Sequence, residues 1–274
     1  MNELEATRTG YAEVNDARLY YEDRGDGDLL LLIHAGVTDN RMWNDQFDVF
    51  ARDYRVIRYD MRGFGKSMVP PLPFSSYEDV SGLLSFIGVE RAYVIGQSFG
   101  GYVAIDFALA HPEMVEALIL GSPNVSGYEP GEELRRFGAE EEEALEKGNL
   151  EAATETNLRM WVDGPHRSPD QVDAAVRERV REMQMQIFDM SWPEGVEEID
   201  LSPPAITRLD EIRVPTLVIV GDQDVSEFLE LADTVAEKIE SAHKVIIPGA
   251  AHLPNMEQPG KYNETVLEFL EEVG

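Results

Sequence analysis

The 274-residue sequence contains no cysteine. Disulfides, thiolate metal sites and a cysteine nucleophile are therefore excluded, and any chemistry must come from oxygen and nitrogen groups. Lysine is scarce as well: only five of the 23 basic residues are lysine, and 53 acidic side chains bring the formal charge to −30. An excess of about one negative charge for every nine residues repels phosphate backbones and anionic lipid, so neither nucleic acid nor a membrane surface is expected as a partner. No window reaches the roughly eighteen uncharged apolar residues of a membrane span, and the opening MNELEATRTGYAEV lacks the basic and apolar segments of a secretion signal. The expectation is a soluble, cytoplasmic protein. Five histidines without H-x-x-x-H spacing predict no metal site. Low-complexity sequence is confined to the run Glu140 to Glu143, which lies between Leu134, Phe137, Ala144 and Leu145 and reads as the solvated face of a helix.

What is present is ordinary for a globular chain, with 43% hydrophobic residues and a length that suits one sizeable core carrying a smaller elaboration. Two strands, Tyr11 to Val14 and Arg18 to Glu22, turn at Asn15-Asp16. The apolar run Leu29 to Ile33 suits a strand covered on both faces. Trp43, Phe47 and Phe50 recur at helical spacing, and Tyr54 to Tyr59 predicts a further strand. A short helix around Val80 to Ile87, a strand Ala92 to Ile95, a helix Ser98 to Ala110 and a strand Val115 to Leu120 follow. Strand and helix alternate, as in a parallel sheet.

From about Asn124 to Leu209 strand signals vanish and three helices are predicted, over 131–147, 149–162 and 169–190. Ser168, Pro169 and Gln171 supply N-cap, N1 and N3 of a capping box for the third, with Val172, Val176, Val180, Met183 and Ile187 as its apolar stripe. After Pro215 the alternation resumes: strand Thr216 to Val220, a helix bearing Phe228, Leu231, Val235 and Ile239, strand Lys244 to Ile247, and a closing helix bearing Tyr262, Val266, Phe269 and Leu270. One helical block interrupts an α/β core.

The chemistry concentrates in AYVIGQSFGGYVAIDFALA, where Gly96-Gln97-Ser98-Phe99-Gly100 forms a G-x-S-x-G motif between a predicted strand and a predicted helix. A strand-to-helix turn this tight leaves no room for a Cβ two residues before or after the serine. Ser98 is then exposed at a helix N-terminus, where peptide dipoles favour developing negative charge.

These residues make the chain resemble the α/β-hydrolase fold superfamily, and the resemblance runs nearly the whole length. His34-Ala35-Gly36 stands where members carry a His-Gly dipeptide that precedes an oxyanion donor; Asp60 to Ser67, DMRGFGKS, looks like the family's D-x-R-G-x-G-x-S loop; Gly221-Asp222-Gln223-Asp224 resembles the acid loop; and Gly249-Ala250-Ala251-His252 sits at the family's catalytic histidine. The order Ser98, Asp224, His252 is that of this fold. Spacing alone leaves Asp222 and Asp224 in competition, and the family pattern G-x-x-D selects Asp224. Ala35 departs from the usual glycine, which leaves the oxyanion donor open between Gly36, the first choice, and Val37, with Phe99 giving the other N–H.

The resemblance implies a mostly parallel central sheet flanked by helices, with residues 1–123 and 209–274 as the core and 124–208 as an inserted helical cap. It implies serine hydrolysis of a small or medium carboxylic ester, with Ser98 as nucleophile, His252 as general base, Asp224 as its orienting acid, and no metal or organic cofactor. Trp161 and Val37 are candidate substrate contacts; Met160, Met185, Phe188, Met190 and Trp192 either line an apolar pocket or hold the cap together. Enol-lactone hydrolysis, C–C cleavage of a β-diketone-like compound and perhydrolysis use the same triad, and a ligand-binding receptor could retain it. Epoxide hydrolases and haloalkane dehalogenases need a carboxylate where Ser98 stands. His34 is expected to organise its loop, His111 to end a helix before Pro112, and His166 and His243 to stay out of catalysis.

Overall fold

Leu29–Ile33, five apolar residues in a row, forms a strand buried on both faces near the middle of an eight-stranded sheet, in a computed structural model that describes residues 6–190 and 192–274. The strands are β1 (Arg8–Val14), β2 (Ala17–Arg24), β3 (Leu29–Ile33), β4 (Arg55–Tyr59), β5 (Ala92–Gln97), β6 (Val115–Gly121), β7 (Thr216–Gly221) and β8 (Ala242–Ile247). Their order across the sheet is β1-β2-β4-β3-β5-β6-β7-β8, antiparallel from β1 through β2 to β4 and parallel from β4 onward.

Because side chains alternate across a strand, the apolar runs feed two separate cores. Leu29, Leu31 and Ile33 point to one and Leu30 and Leu32 to the other; Leu118 and Leu120 part from Ala117 and Ile119 in the same way. Helices α1 (Asn44–Phe50), α2 (Ser76–Ile87) and α3 (Phe99–Ala110) lie between the early strands, followed by α4 (Glu132–Glu146), α5 (Leu150–Asn157), α6 (Ala174–Asp189), α7 (Ser226–Lys238), α8 (Pro254–Glu257) and α9 (Pro259–Val273). The first core is closed by α2, α3 and α7 through Leu83, Val103, Phe107, Leu231 and Val235, and the second by α1 and α9 through Phe47, Phe50, Tyr262, Val266 and Phe269. Each fully buried Leu or Ile contributes about 1.5–3 kcal/mol relative to exposure, so strands buried on both faces are a large stabilising part of the molecule.

All of α4, α5 and α6 lie between β6 and β7, where no strand forms among the described residues beyond an isolated bridge from Phe74 to Glu198. Two predicted helices there are divided. The span 149–162 is α5 followed by a π-turn, Leu158–Asp163. The span 169–190 is a one-turn 3-10 segment, Pro169–Gln171, and then α6. The capping box forms, with Gln171 Oε1 accepting from the Ser168 N–H at 2.9 Å, but it closes only that single turn. Val172 is extended, and a second cap five residues on starts the helix proper, Asp173 Oδ1 accepting from the Ala175 N–H at 2.8 Å. Elsewhere β1, β2 and α2 each begin earlier than predicted, and Trp43 belongs to a 3-10 turn, Asn40–Trp43, ahead of α1. No helix among the described residues is long and apolar enough to cross a membrane.

Candidate active site

The turn from β5 to α3 carries Ser98 at φ 53°, ψ −112°, a conformation that L-residues adopt only when the surroundings impose it. Here the two flanking glycines allow it. A Cβ on Gly96 would lie 2.2 Å from the Gly100 carbonyl oxygen, and one on Gly100 2.3 Å from that of Ile33. The Ser98 N–H donates to the Gly121 carbonyl at 2.8 Å and its carbonyl accepts from the Asn124 N–H at 3.1 Å, which pins the turn to the end of β6. Ser98 therefore stands above the sheet, ahead of the first turn of α3 and not inside it.

Asp224 follows the end of β7 and His252 the loop after β8, and both are buried to within 2%. His252 Nδ1 lies 3.0 and 3.1 Å from the two Asp224 oxygens, and its Nε2 lies 2.8 Å from Ser98 Oγ. A carboxylate only accepts, so Nδ1 carries the proton and donates it, leaving Nε2 free to accept from the Ser98 hydroxyl. Asp224 is itself oriented by the Val225 N–H at 2.8 Å, and the His252 carbonyl by Gln97 Nε2 at 2.6 Å. This chain of groups can withdraw the serine proton as the oxygen attacks. Asp222 is turned elsewhere: its Oδ1 accepts from the Gly249 N–H at 2.7 Å and closes the turn ahead of the histidine loop.

His34 is buried, and burial lowers its pKa below the ordinary histidine value. Its Nε2 accepts from the Met61 N–H at 3.0 Å, so the proton sits on Nδ1, which donates to the Ala35 carbonyl at 2.8 Å. A neutral ring thus joins the loop holding Gly36 to the DMRGFGKS loop. Phe64 of that loop packs on His34 and on Phe99. Gly36 lies against Phe99, where a Cβ on it would be 3.5 Å from the Phe99 Cβ; Val37 is half-buried beside the second core. The N–H groups of Gly36, Val37 and Phe99 are engaged by no other group among the described residues. His111 ends α3 and reaches Glu78 at 3.2 Å, and His243 packs on Phe269. His166 is exposed on the surface. Among the described residues no cluster of three or more His, Asp or Glu is placed to hold a metal ion.

Trp161, on the π-turn, and Phe228, on α7, grip the imidazole from two sides, each ring centroid 4.5 Å from that of His252. Both line a cavity of about 370 Å³ that runs from Asn124 beneath α4. Tyr128, Leu134, Phe137 and Met160 make it mainly apolar. Its polar groups are largely occupied: Asn157 donates to Glu141 at 2.8 Å and accepts from Trp161 Nε1 at 2.9 Å. Glu141 thus departs from the otherwise solvated Glu140 to Glu143 face. Met185, Phe188, Met190 and Trp192 do not line this cavity; Trp192 packs on Phe74 over Gly63.

Comparison with known proteins gives a family. The model of the alpha/beta hydrolase family matches residues 30–265. The chain belongs to this family. A protein of Azorhizobium caulinodans named as a carbamate hydrolase is 29% identical over 96% of this chain and 98% of its own length. The 2-hydroxy-6-oxo-6-(2'-aminophenyl)hexa-2,4-dienoic acid hydrolase of Metapseudomonas resinovorans is 27% identical over 91% of this chain and 86% of that one. A thermophilic esterase from Thermogutta terrifontis superposes with a TM-score of 0.80 at 26% identity, covering 97% of this chain and 99% of its own. The relatives bring different substrates to one hydrolytic fold.

In this alpha/beta hydrolase, then, Ser98, Asp224 and His252 meet as the sequence order implied, whereas four neighbours of the site were not singled out. Phe228 reads in sequence as one more apolar position on a helix face, and Gln97 as a variable position inside the motif. Arg167 lies in a loop and Glu257 at the end of the one-turn helix α8, neither with any periodicity to read, yet they form a buried pair, with Arg167 Nη2 2.7 Å from Glu257 Oε2. Burial raises the Glu257 carboxyl to about 7 against the pull of Arg167. The one sequence signal was an arginine placed just after a Gly-Pro break, and it points to no particular partner.

Proposed function

We propose that this hydrolase cleaves a small or medium, uncharged carboxylic ester through an acyl-enzyme on Ser98, with residues 124–208 acting as a cap over the site. The observation that carries the reading is the 2.8 Å approach of His252 Nε2 to Ser98 Oγ with Nδ1 held on Asp224. In this mechanism Ser98 Oγ attacks the acyl carbon while its proton passes to Nε2, and Asp224 stabilises the imidazolium that results. The Phe99 N–H and one from Gly36, or in second place Val37, receive the oxyanion; losing one such donor costs about 10²- to 10³-fold in rate. His252 returns the proton to the leaving alcohol, then activates the water that frees the acid. No metal or organic cofactor takes part.

The cavity beside Trp161 supports the substrate class. Its volume of about 370 Å³ suits a modest apolar group and not a polymer. The charged groups on its lining are Arg135, which is exposed and already donates to the Pro130 carbonyl at 2.5 Å, and Glu141, of opposite sign. An anionic dienoic acid, the kind of substrate the second relative's name gives, would find little compensation for losing its water here. The test is a competition of substrates on the purified protein: p-nitrophenyl esters of two to ten acyl carbons against an anionic 2-hydroxy-6-oxo-dienoate. Multiple turnovers of the shorter esters with little reaction of the dienoate are expected. Preference for the dienoate would replace the reading with carbon–carbon hydrolysis, and tight binding of a small molecule without any turnover would replace it with a receptor.

A further inference from the structure

The guanidinium of Arg167 joins two segments that meet at His252, the π-turn whose Trp161 packs on its ring and the loop that carries it. On one side are the carbonyls that end the π-turn: Arg167 Nη2 donates to Val162 and Nε to Asp163, both at 2.7 Å. Trp161, whose ring lies against His252, is the neighbour of Val162. On the other side is the histidine loop. Arg167 Nη1 donates to the Gly249 carbonyl at 2.7 Å, and Nη2 pairs with Glu257, whose second oxygen accepts from the Ala251 N–H at 2.7 Å. Ala251 is the neighbour of His252. Both side chains are nearly withdrawn from solvent, at 11% for Arg167 and 5% for Glu257.

We propose that Arg167 is a positioning residue for His252, coupling the placement of the cap's Trp161 turn to the register of the histidine loop through Glu257. The inference rests on His252 being the general base of the ester reaction. A planar fork with five donors suits this task, because it satisfies three carbonyls and a carboxylate at fixed angles, which an ammonium group does less well. Two further features agree. Gly164, just past the π-turn, lies so close to the acid loop that a Cβ there would be 2.2 Å from the Gln223 carbonyl oxygen, so any shift of this segment is felt at Asp224 as well. Without the arginine, Glu257 would be a desolvated carboxylate facing the like charge of Asp224, and its grip on the Ala251 N–H would weaken as it took up a proton.

The test compares Arg167→Met, Arg167→Lys and Glu257→Gln with the unaltered protein by kcat and KM on a short p-nitrophenyl ester, by the rate of Ser98 labelling with a fluorophosphonate, and by the NMR signal of the His252 Nδ1 proton. Arg167→Met is expected to lower kcat and the labelling rate together by about 10- to 100-fold with KM changed less than about threefold, to broaden or shift the Nδ1 signal, and to keep a cooperative thermal transition. Arg167→Lys, which keeps the charge, should recover part of the loss. If Arg167→Met does not fold, Glu257→Gln decides: it preserves shape and an acceptor for Ala251, and a fall in kcat of about tenfold is expected. The proposal is overturned if the folded variants keep kcat, labelling rate and the Nδ1 signal within twofold of the unaltered protein. Should the unaltered protein neither label nor turn over, the ester reading fails on its own, and the Nδ1 signal still decides whether Arg167 positions the ring.

Discussion

The sheet core and α4, the first of the helices between β6 and β7, are held by different forces, while the π-turn and α6 join the second core through Leu158, Val162, Val176, Val180 and Met183. Ser98 and Asp224 follow β5 and β7, strands buried on both faces, His252 follows the more open edge strand β8, and backbone bonds such as Ser98 N–H to Gly121 lock the Ser98 turn. In contrast, α4 has no fully buried residue, Leu134 and Phe137 being only partly covered, and ion pairs lace this segment, Arg159 with Glu140 at 2.9 Å and Arg181 with Glu155 at 2.7 Å. Exposed pairs of this kind contribute about 0–1 kcal/mol each and weaken with salt. The difference teaches where precision is required. The precision that proton transfer would need is available at Ser98, Asp224 and His252 on the well-buried core, while the cavity beside Trp161 is walled largely by the half-exposed α4.

Substitutions in the two regions should therefore differ in kind. Ser98→Ala is expected to abolish the nucleophile and lower kcat on an ester by about 10⁵- to 10⁶-fold, measured with active-site titration to exclude contaminating esterase. Asp224→Asn should cost about 10⁴-fold by favouring the wrong imidazole tautomer, while Asp222→Asn, whose carboxylate meets the Gly249 N–H and the Gln223 side chain but not His252, should stay within tenfold; the reverse ranking would move the acid. A change in the helical segment should instead redistribute preference. Phe137→Ala enlarges the cavity without touching His252, and the ratio of kcat/KM for an eight-carbon over a two-carbon acyl ester is expected to rise about tenfold. An equal loss on both esters would mean that the cavity is not where the acyl group lies.

The smallest effect is on stability and arises at the seam between the two regions. Glu257 titrates near 7 in the folded protein against an ordinary 4.5, so the folded state holds a proton that the unfolded chain has released. Stability from this group is fully present below about pH 4.5 and is lost as pH rises through about 7. Glu257→Gln removes that dependence. Between about pH 5 and pH 8 the unaltered protein should lose on the order of 1–3 kcal/mol relative to the variant, readable by urea unfolding at the two values.

Much of the core was legible in the sequence because its signals are local. Apolar runs such as Leu29 to Ile33 announce strands buried on both faces, and the glycines around Ser98 announce a turn that no other residue fits. The order of Ser98, Asp224 and His252 carried the site because strand ends bring them together. The helical segment was less legible where two local rules competed, as at Ser168 and Asp173, each a sound cap, of which the second starts α6. Contacts across the seam left no pattern to read. Phe228 meets His252, and Arg167 the loop that carries it, only through the fold, over a separation that no periodicity spans.

The measurement that bears most directly on Ser98 is intact-mass and peptide mapping of the protein quenched during turnover of a short p-nitrophenyl ester. An added acyl group is expected on the peptide containing Ser98, absent in Ser98→Ala and longer-lived in His252→Ala if any forms. Sustained turnover in Ser98→Ala, or an acyl group mapped to another residue, would contradict it.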